Sequence, residues 1–225
     1  MKKIFITAAL IVAGLSATAQ VAPVNGGAGH FRFGYANYQM KGMNNWLNDR
    51  YPQLKNDFIA IGGGGYGIIN NLVIGGEGLG ARGTTVTKDT LSITPVIGSG
   101  MFNLGYLVYH RHNLLVYPMI GIGGLGASFR FSEVDNPGSA TNHVKAEPYN
   151  YSCGSLVLGV SVGADKFFMF GEEDGGISVS LKAGYNYALR NGNWKKDNLE
   201  TGGPNVNLSG FYLTLGFGGG GFGVD

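Results

Sequence analysis

From Ile177 to Tyr187 the chain alternates without a break, with Ile177, Val179, Leu181, Ala183, Tyr185 and Tyr187 at odd positions and Ser178, Ser180, Lys182, Gly184 and Asn186 at even ones. A period of two sends successive side chains to opposite faces of a strand, so this segment has one apolar and one polar face. Phe211, Leu213, Leu215 and Phe217 repeat the pattern against Tyr212, Thr214, Gly216 and Gly218, and Leu156, Leu158, Val160 and Val162 share a face earlier in the chain. Each run has roughly the 9 to 11 residues that a tilted strand needs to cross a bilayer. The polar faces are mostly Ser and Gly, with few of the charges that keep a soluble sheet apart from its neighbours, and they are small enough to line a narrow barrel. The alternation therefore predicts Leu181, Tyr185, Tyr187, Phe211, Leu213, Leu215 and Phe217 as lipid-facing, with Tyr185 and Tyr187 in an aromatic girdle.

The N-terminus points to the same compartment. Lys2 and Lys3 precede an apolar run from Ile4 to Leu15, and Ala17-Thr18-Ala19 follows it. That is the layout of a secretory signal peptide, and about a dozen apolar residues are too few for a helical span. The expected division is a signal peptide over 1–19 and one barrel domain over 20–225. Gln20, not Cys, follows the expected cut, which removes the acylation site of a lipid-anchored protein. After it no run of 18 apolar residues occurs, so crossing a bilayer would require a closed sheet that satisfies every backbone donor and acceptor internally. Cys153 is the single cysteine, so no internal disulfide staples the fold. Charged residues are 13% of the chain, about half the usual share, while 41 of 225 residues are Gly. With Lys2 and Lys3 set aside, basic and acidic residues are equal in number, which argues against a nucleic-acid partner.

Earlier strands are expected over His30 to Tyr38, Phe58 to Ile69, Leu72 to Gly83, Leu91 to Tyr109 and Val116 to Phe131. In the last of these the apolar set moves from Ile120 and Ile122 to Leu125, Ala127 and Phe129 across Gly123-Gly124, which predicts a bulge or glycine kink. Gly62 to Gly65 give the second strand no assignable face, and Pro95 and Pro118 are expected outside the apolar band or at bulges. Long links, about Gln39 to Asp57, Thr84 to Thr90, Ser132 to Cys153 and Arg190 to Asn205, alternate with short ones at Asn70-Asn71, His110 to Asn113 and Met169 to Gly175. Four long and three short links fit an all-β, antiparallel, up-and-down transmembrane barrel of about eight strands, with short periplasmic turns and longer outer loops.

In this pattern, from about Gly29 to Gly218, the chain resembles the eight-stranded outer-membrane β-barrels of Gram-negative bacteria, the OmpA-like and OmpX-like class. The resemblance implies insertion among outer-membrane lipids with the help of the barrel assembly machinery. Members of that class often end on an aromatic residue that assists assembly; here Phe217 or Phe222 would have to serve. The expected function is that of a non-enzymatic integral barrel with a structural envelope role, or with outer loops that bind an extracellular ligand. A narrow pore for small solutes and a soluble secreted β-barrel binding protein are the alternatives.

Site residues follow from facing. Lys182 lies on the inward row and needs an opposite charge, with Arg32, Glu77 and Asp165 as the candidate members of a lumen network. Trp46, Trp194, Lys195 and Lys196 fall in expected outer loops, where interfacial anchoring or loop packing is preferred over recognition for the two tryptophans. No catalytic, cofactor or metal residue is assigned. Gly121-Ile122-Gly123-Gly124-Leu125-Gly126 spells G-x-G-x-x-G inside a strand, without the helix that a dinucleotide site needs. His110 and His112 lack acidic or thiol partners in their turn, and His143, near Ser139 and Glu147, sits in a loop where such residues are common.

Overall fold

The computed structural model describes residues 22–48, 51–134, 147–170 and 175–224. The expected signal peptide at 1–19, and His143, Ser139 and Lys145, lie outside the described residues. Eight long strands carry the structure: β1 (Val24–Tyr38), β2 (Asp57–Ile69), β3 (Leu72–Gly83), β5 (Leu91–Tyr106), β7 (Leu114–Glu133), β8 (Tyr149–Met169), β9 (Gly176–Asn191) and β12 (Gly210–Val224). Short strands β4 (Val86–Lys88), β6 (Tyr109–Arg111), β10 (Trp194–Lys196) and β11 (Leu199–Thr201) and one helix, α1 (Lys41–Leu47), occupy the links. Each long strand pairs antiparallel with the next, and β12 returns to β1 from Gly210↔Tyr38 to Val224↔Val24, which closes the ring. The architecture is the expected all-β, up-and-down barrel of eight strands, and closure removes the exposed edge that an open sheet would offer to lipid.

Turn chemistry fixes the register. Asn70-Asn71 and His112-Asn113 both have positive φ at each residue (48° and 69°; 50° and 58°), the geometry of a two-residue hairpin whose twist matches that of its strands. Asn71 also ties this turn to the start of the barrel, because the Val24 backbone N–H donates to its Oδ1 at 2.9 Å and its own N–H donates to the Val24 carbonyl at 3.2 Å. These two turns, the strand ends at Met169 and Gly176, and Val24 with its partner Val224 lie at one end of the barrel, and the strand ends joined by the four longer links lie at the other. In bacterial barrels the longer loops face outside, and that end is called outer below.

Facing is uniform along every long strand. Phe31, Ile59, Phe102, Ile120, Leu156 and Leu181 are among the exposed large apolar side chains, each between 51% and 71% exposed. Phe211, Leu213, Phe217, Tyr185 and Tyr187 are exposed on the same outer surface and Leu215 is half-buried there. The second strand, which had no assignable face, turns Phe58, Ala60, Tyr66 and Ile68 inward and Ile59, Ile61 and Ile69 outward.

The expected bulge at Gly123-Gly124 is absent. Pairing of β7 with β5 runs unbroken from Glu133 to Met119, and with β8 from Phe131 to Leu114. Ile120 and Ile122 face out while Leu125, Ala127 and Phe129 are buried inside, so the strand keeps its phase and the apolar residues change face. The barrel has an apolar interior at this level, which alternation in the sequence cannot distinguish from a shift of register. The register shift that does occur lies between β8 and β9, where Leu156 pairs with Arg190 and Val157 with Ala188, leaving Leu189 without an opposite residue. Neither proline sits at a bulge. Pro95 follows the last β3–β5 pair at Val96 and precedes the β4 pairing at Ile93; Pro118 lies between the β5 pairing at Met119 and the β6 pairing at Val116. On one edge each sits in a gap between two ladders, while on the other edge Pro95 stays opposite Phe129 and Pro118 opposite Val162.

Inside, three layers are stacked along the axis. At the inner end Val24, Ile68, Leu115, Tyr117, Phe167 and Phe222 form one apolar cluster. At the outer end Tyr38, Phe58, Ile97, Phe129, Phe131 and Leu208 belong to a larger one that continues into α1 through Met43 and Leu47. Between them lies a layer of buried polar and charged side chains. Phe222 points inward, 7% exposed, so of the two aromatic candidates for assembly only Phe217 faces lipid.

Candidate functional site in the barrel interior and at its outer end

The middle layer is built from inward positions on strands around the ring. Lys182 on β9 and Glu77 on β3 meet across the lumen, Nζ to Oε1 at 2.7 Å, with side chains 3% and 6% exposed. Tyr212 on β12 donates its hydroxyl to the same Oε1 at 3.2 Å. Asp165 on β8 accepts at Oδ2 from the hydroxyl of Tyr117 at 2.8 Å and from that of Tyr66. His30 on β1 places Nε2 3.7 Å from that oxygen and 2.9 Å from Ser178 Oγ. Arg32 is buried in the same layer, 4% exposed, and lines a cavity of about 20 Å³ together with Glu77, Lys182, Tyr66, Tyr117 and Asn103. The structure thus gathers Arg32, Glu77, Asp165 and Lys182 into one layer, with Lys182 and Glu77 in direct contact. Two cations against two carboxylates leave it formally neutral when His30 is uncharged, and a buried charge needs such compensation.

Glycine makes room for the aromatic members. A Cβ on Gly163 would lie 2.4 Å from the Tyr117 ring, and one on Gly184 would lie 2.6 Å from that of Tyr212. Each tyrosine therefore lies flat over a bare stretch of strand and aims its hydroxyl at a carboxylate. Gly163→Ala is expected to destabilise the barrel by about 1–3 kcal/mol, because Tyr117 must shift off the strand and off Asp165. Chemical unfolding in detergent micelles measures this, and a midpoint equal to that of the parent would refute it.

The juxtaposition of Ser178, His30 and Asp165 was not legible in the sequence, because the three residues come from β9, β1 and β8 and no spacing marks them. It does not have the geometry of a nucleophilic triad. Serine and aspartate face the same ring nitrogen, whereas a triad uses the two nitrogens separately, one to take the serine proton and the other to hold the acid. All three side chains are also enclosed between the apolar layers. The G-x-G-x-x-G stretch lies within β7, with Gly121 and Gly123 inward and Gly124 and Gly126 outward. His110, half-buried on β6, packs edge-on against Phe222 at 4.9 Å, and among the described residues no three His, Cys, Asp or Glu side chains gather into a metal site.

At the outer end the described segments of the links pack onto the barrel. Trp194 is 5% exposed; its Nε1 donates to the Pro204 carbonyl at 2.8 Å, and its ring contacts Phe129 and Tyr151. It is a core residue of this end, in keeping with loop packing. Trp46, on α1, is half exposed and meets Tyr151 edge-on at 5.4 Å. Phe131 stacks on Tyr149 at 4.9 Å, and Lys196 Nζ lies 4.5 Å above the Tyr149 ring, a cation–π contact. Lys195 remains exposed. The first long link is clamped by Asn44, whose Oδ1 accepts from Leu54 N–H at 2.8 Å while its Nδ2 donates to the Leu54 carbonyl at 2.9 Å.

A closed ring of eight strands, an apolar outer belt and a polar layer sealed inside define a small transmembrane β-barrel of the outer-membrane type. A soluble barrel would show the reverse, with its apolar rows inside and polar rows in water. No protein-family profile matches the chain, and no curated protein sequence matches it. Among solved structures it is similar in shape to Ail, the attachment invasion locus protein of Yersinia pestis, with 10% identity over 88% of this chain and 99% of that one and a TM-score of 0.49. It is also similar to the outer-membrane protease OmpT from Escherichia coli, with 11% identity over 89% and 94% and a TM-score of 0.30. A third is the outer-membrane protein AlkL, with 8% identity over 92% and 93% and a TM-score of 0.35.

Proposed function

We propose that this protein is a non-enzymatic outer-membrane barrel with a closed lumen, whose outer end is a pre-formed surface for contact with a partner outside the cell. The observation that carries this reading is the three-layer interior. Two apolar clusters stand above and below the ion-paired layer, and the polar cavity lined by Arg32, Glu77 and Lys182 has room for about one water molecule. A hydrated path for solutes would have to cross both clusters, and eight-stranded barrels are normally filled by their own side chains. The described segments of the outer links, packed around Trp194, favour a presented surface. Delivery would use the 1–19 segment as a signal peptide, and insertion would use the assembly machinery.

Purified protein in a planar bilayer is expected to give no unitary conductance steps; steady, reproducible steps would favour the pore. Orientation is tested on intact cells in a Cys153→Ser background. Lys195→Cys is expected to react with a membrane-impermeant thiol reagent while Arg111→Cys, in the short-turn end, is protected until the envelope is opened. The opposite pattern would place the long links in the periplasm and end the proposed role of the outer surface.

A further inference from the structure

At the outer limit of the apolar belt, β5, β7 and β8 share a shallow cleft of about 360 Å³ on the lipid-facing side. Its floor is backbone, formed by Gly98, Gly126 and Gly154, which lie side by side in the register Gly98↔Gly126↔Gly154. The fold does not require these glycines to be bare: a Cβ at Gly98 or Gly126 would meet nothing within 4 Å, and one at Gly154 only the Leu125 carbonyl at 3.9 Å. One wall is Val96, and the other is polar, with Ser128, Ser152, Asn193 and Lys195. β10 holds Lys195 in place by pairing it with Ser152. One step further out on the same face of β7, Arg130 is exposed beside Thr94 and Asn150. Glu200 stands opposite Lys195 on β11 and Asp197 accepts from the Asn150 N–H at 2.8 Å, so that with Lys196 next along β10 the rim carries three cations against two carboxylates. Inward from the floor the bare surface continues through Gly100 and Gly124, bordered by Leu156, 51% exposed, opposite Gly124.

We propose that this cleft is a binding site for one phosphate-bearing membrane lipid. The headgroup phosphate sits between Lys195 and Arg130 with the Ser128 and Ser152 hydroxyls as donors, and the first part of an acyl chain lies on the glycine floor toward Gly100 and Gly124. The position supports a lipid over any other occupant, because the cleft straddles the change from apolar to polar outward residues, where headgroup and chain of one molecule part company. Net positive charge at the rim selects an anionic head, and charged side chains at a membrane surface attract anionic lipid within a Debye length. Missing side chains on the floor let an acyl chain approach the backbone closely, and the polar backbone groups there are already paired in the sheet.

The full-length barrel is reconstituted in vesicles of phosphatidylcholine doped with phosphatidylglycerol, extracted, and analysed by native mass spectrometry for retained lipid. One phosphatidylglycerol per barrel is expected in preference to phosphatidylcholine. Lys195→Gln and Arg130→Gln are each expected to lower that preference about fivefold, whereas Lys55→Gln, an exposed cation elsewhere at the outer end, leaves it intact. Gly126→Leu, which fills the cleft without changing charge, is expected to abolish retention; Gly98→Leu is the equivalent change on β5 should the first fail to fold, as judged by heat-dependent gel mobility. Equal retention of the two lipids, an equal loss with Lys55→Gln, or full retention in the folded cleft-filling variant would overturn the proposal.

Discussion

Lys182→Met is expected to destabilise the folded barrel by about 3–5 kcal/mol, because it leaves Glu77 ionised and unpaired among buried side chains. Glu77→Gln should act in the same direction from the other partner, and it also weakens the acceptor used by Tyr212. The loss comes from the desolvation penalty of the charge left behind rather than from the worth of the pair, so the double replacement Lys182→Met with Glu77→Leu is expected to recover much of it. Urea unfolding in lipid vesicles, followed by tryptophan fluorescence, measures all three. Trp194 is enclosed in the outer apolar cluster and reports its opening. Single variants that unfold at the parent's midpoint would show that the layer is hydrated and the pair energetically idle.

The second large effect is on the outer surface. Leu181 and Leu213 lie on the apolar belt of adjacent strands, where Leu181 faces Leu215 and Leu213 faces Ala183 across the β9–β12 ladder. Leu181→Arg or Leu213→Arg places a cation in hydrocarbon, which costs about 2–4 kcal/mol near the midplane of such barrels. The expected result is a reduced yield of the heat-modifiable, folded form in the membrane fraction. Thr214, one residue away and fully buried, points into the lumen toward the Lys182 carbonyl. Normal insertion of both arginine variants, together with an assembly defect in Thr214→Leu, would mean that the two faces have been assigned the wrong way round.

The amphipathic surface and the ionic layer differ in how far they could be read in advance. Alternation is a local property: if Leu181 faces lipid, Lys182 faces the lumen, because strand geometry allows nothing else. The outward rows on β8, β9 and β12, the short links at Asn70-Asn71 and His110 to Asn113, and the alternation of long and short links could all be read from neighbouring residues. They set the strand number and the facing of Arg32 and Lys182. Which inward residues share a level depends on the stagger of the closed ring, a property of all eight strands together. That stagger brings Glu77 to Lys182 across 105 positions and His30 to Ser178 across 148, and no spacing in the chain encodes it. The apolar clusters at both ends of the lumen misled the reading of β7 for the same reason, since an inward Leu125 and an outward Ile122 look alike until the wall on either side is known. Residues 177–187 determined by themselves that this chain would have a lipid-facing surface; only closure of the barrel decided what it would enclose, because the Lys182–Glu77 and His30–Ser178 contacts are made between strands that never pair.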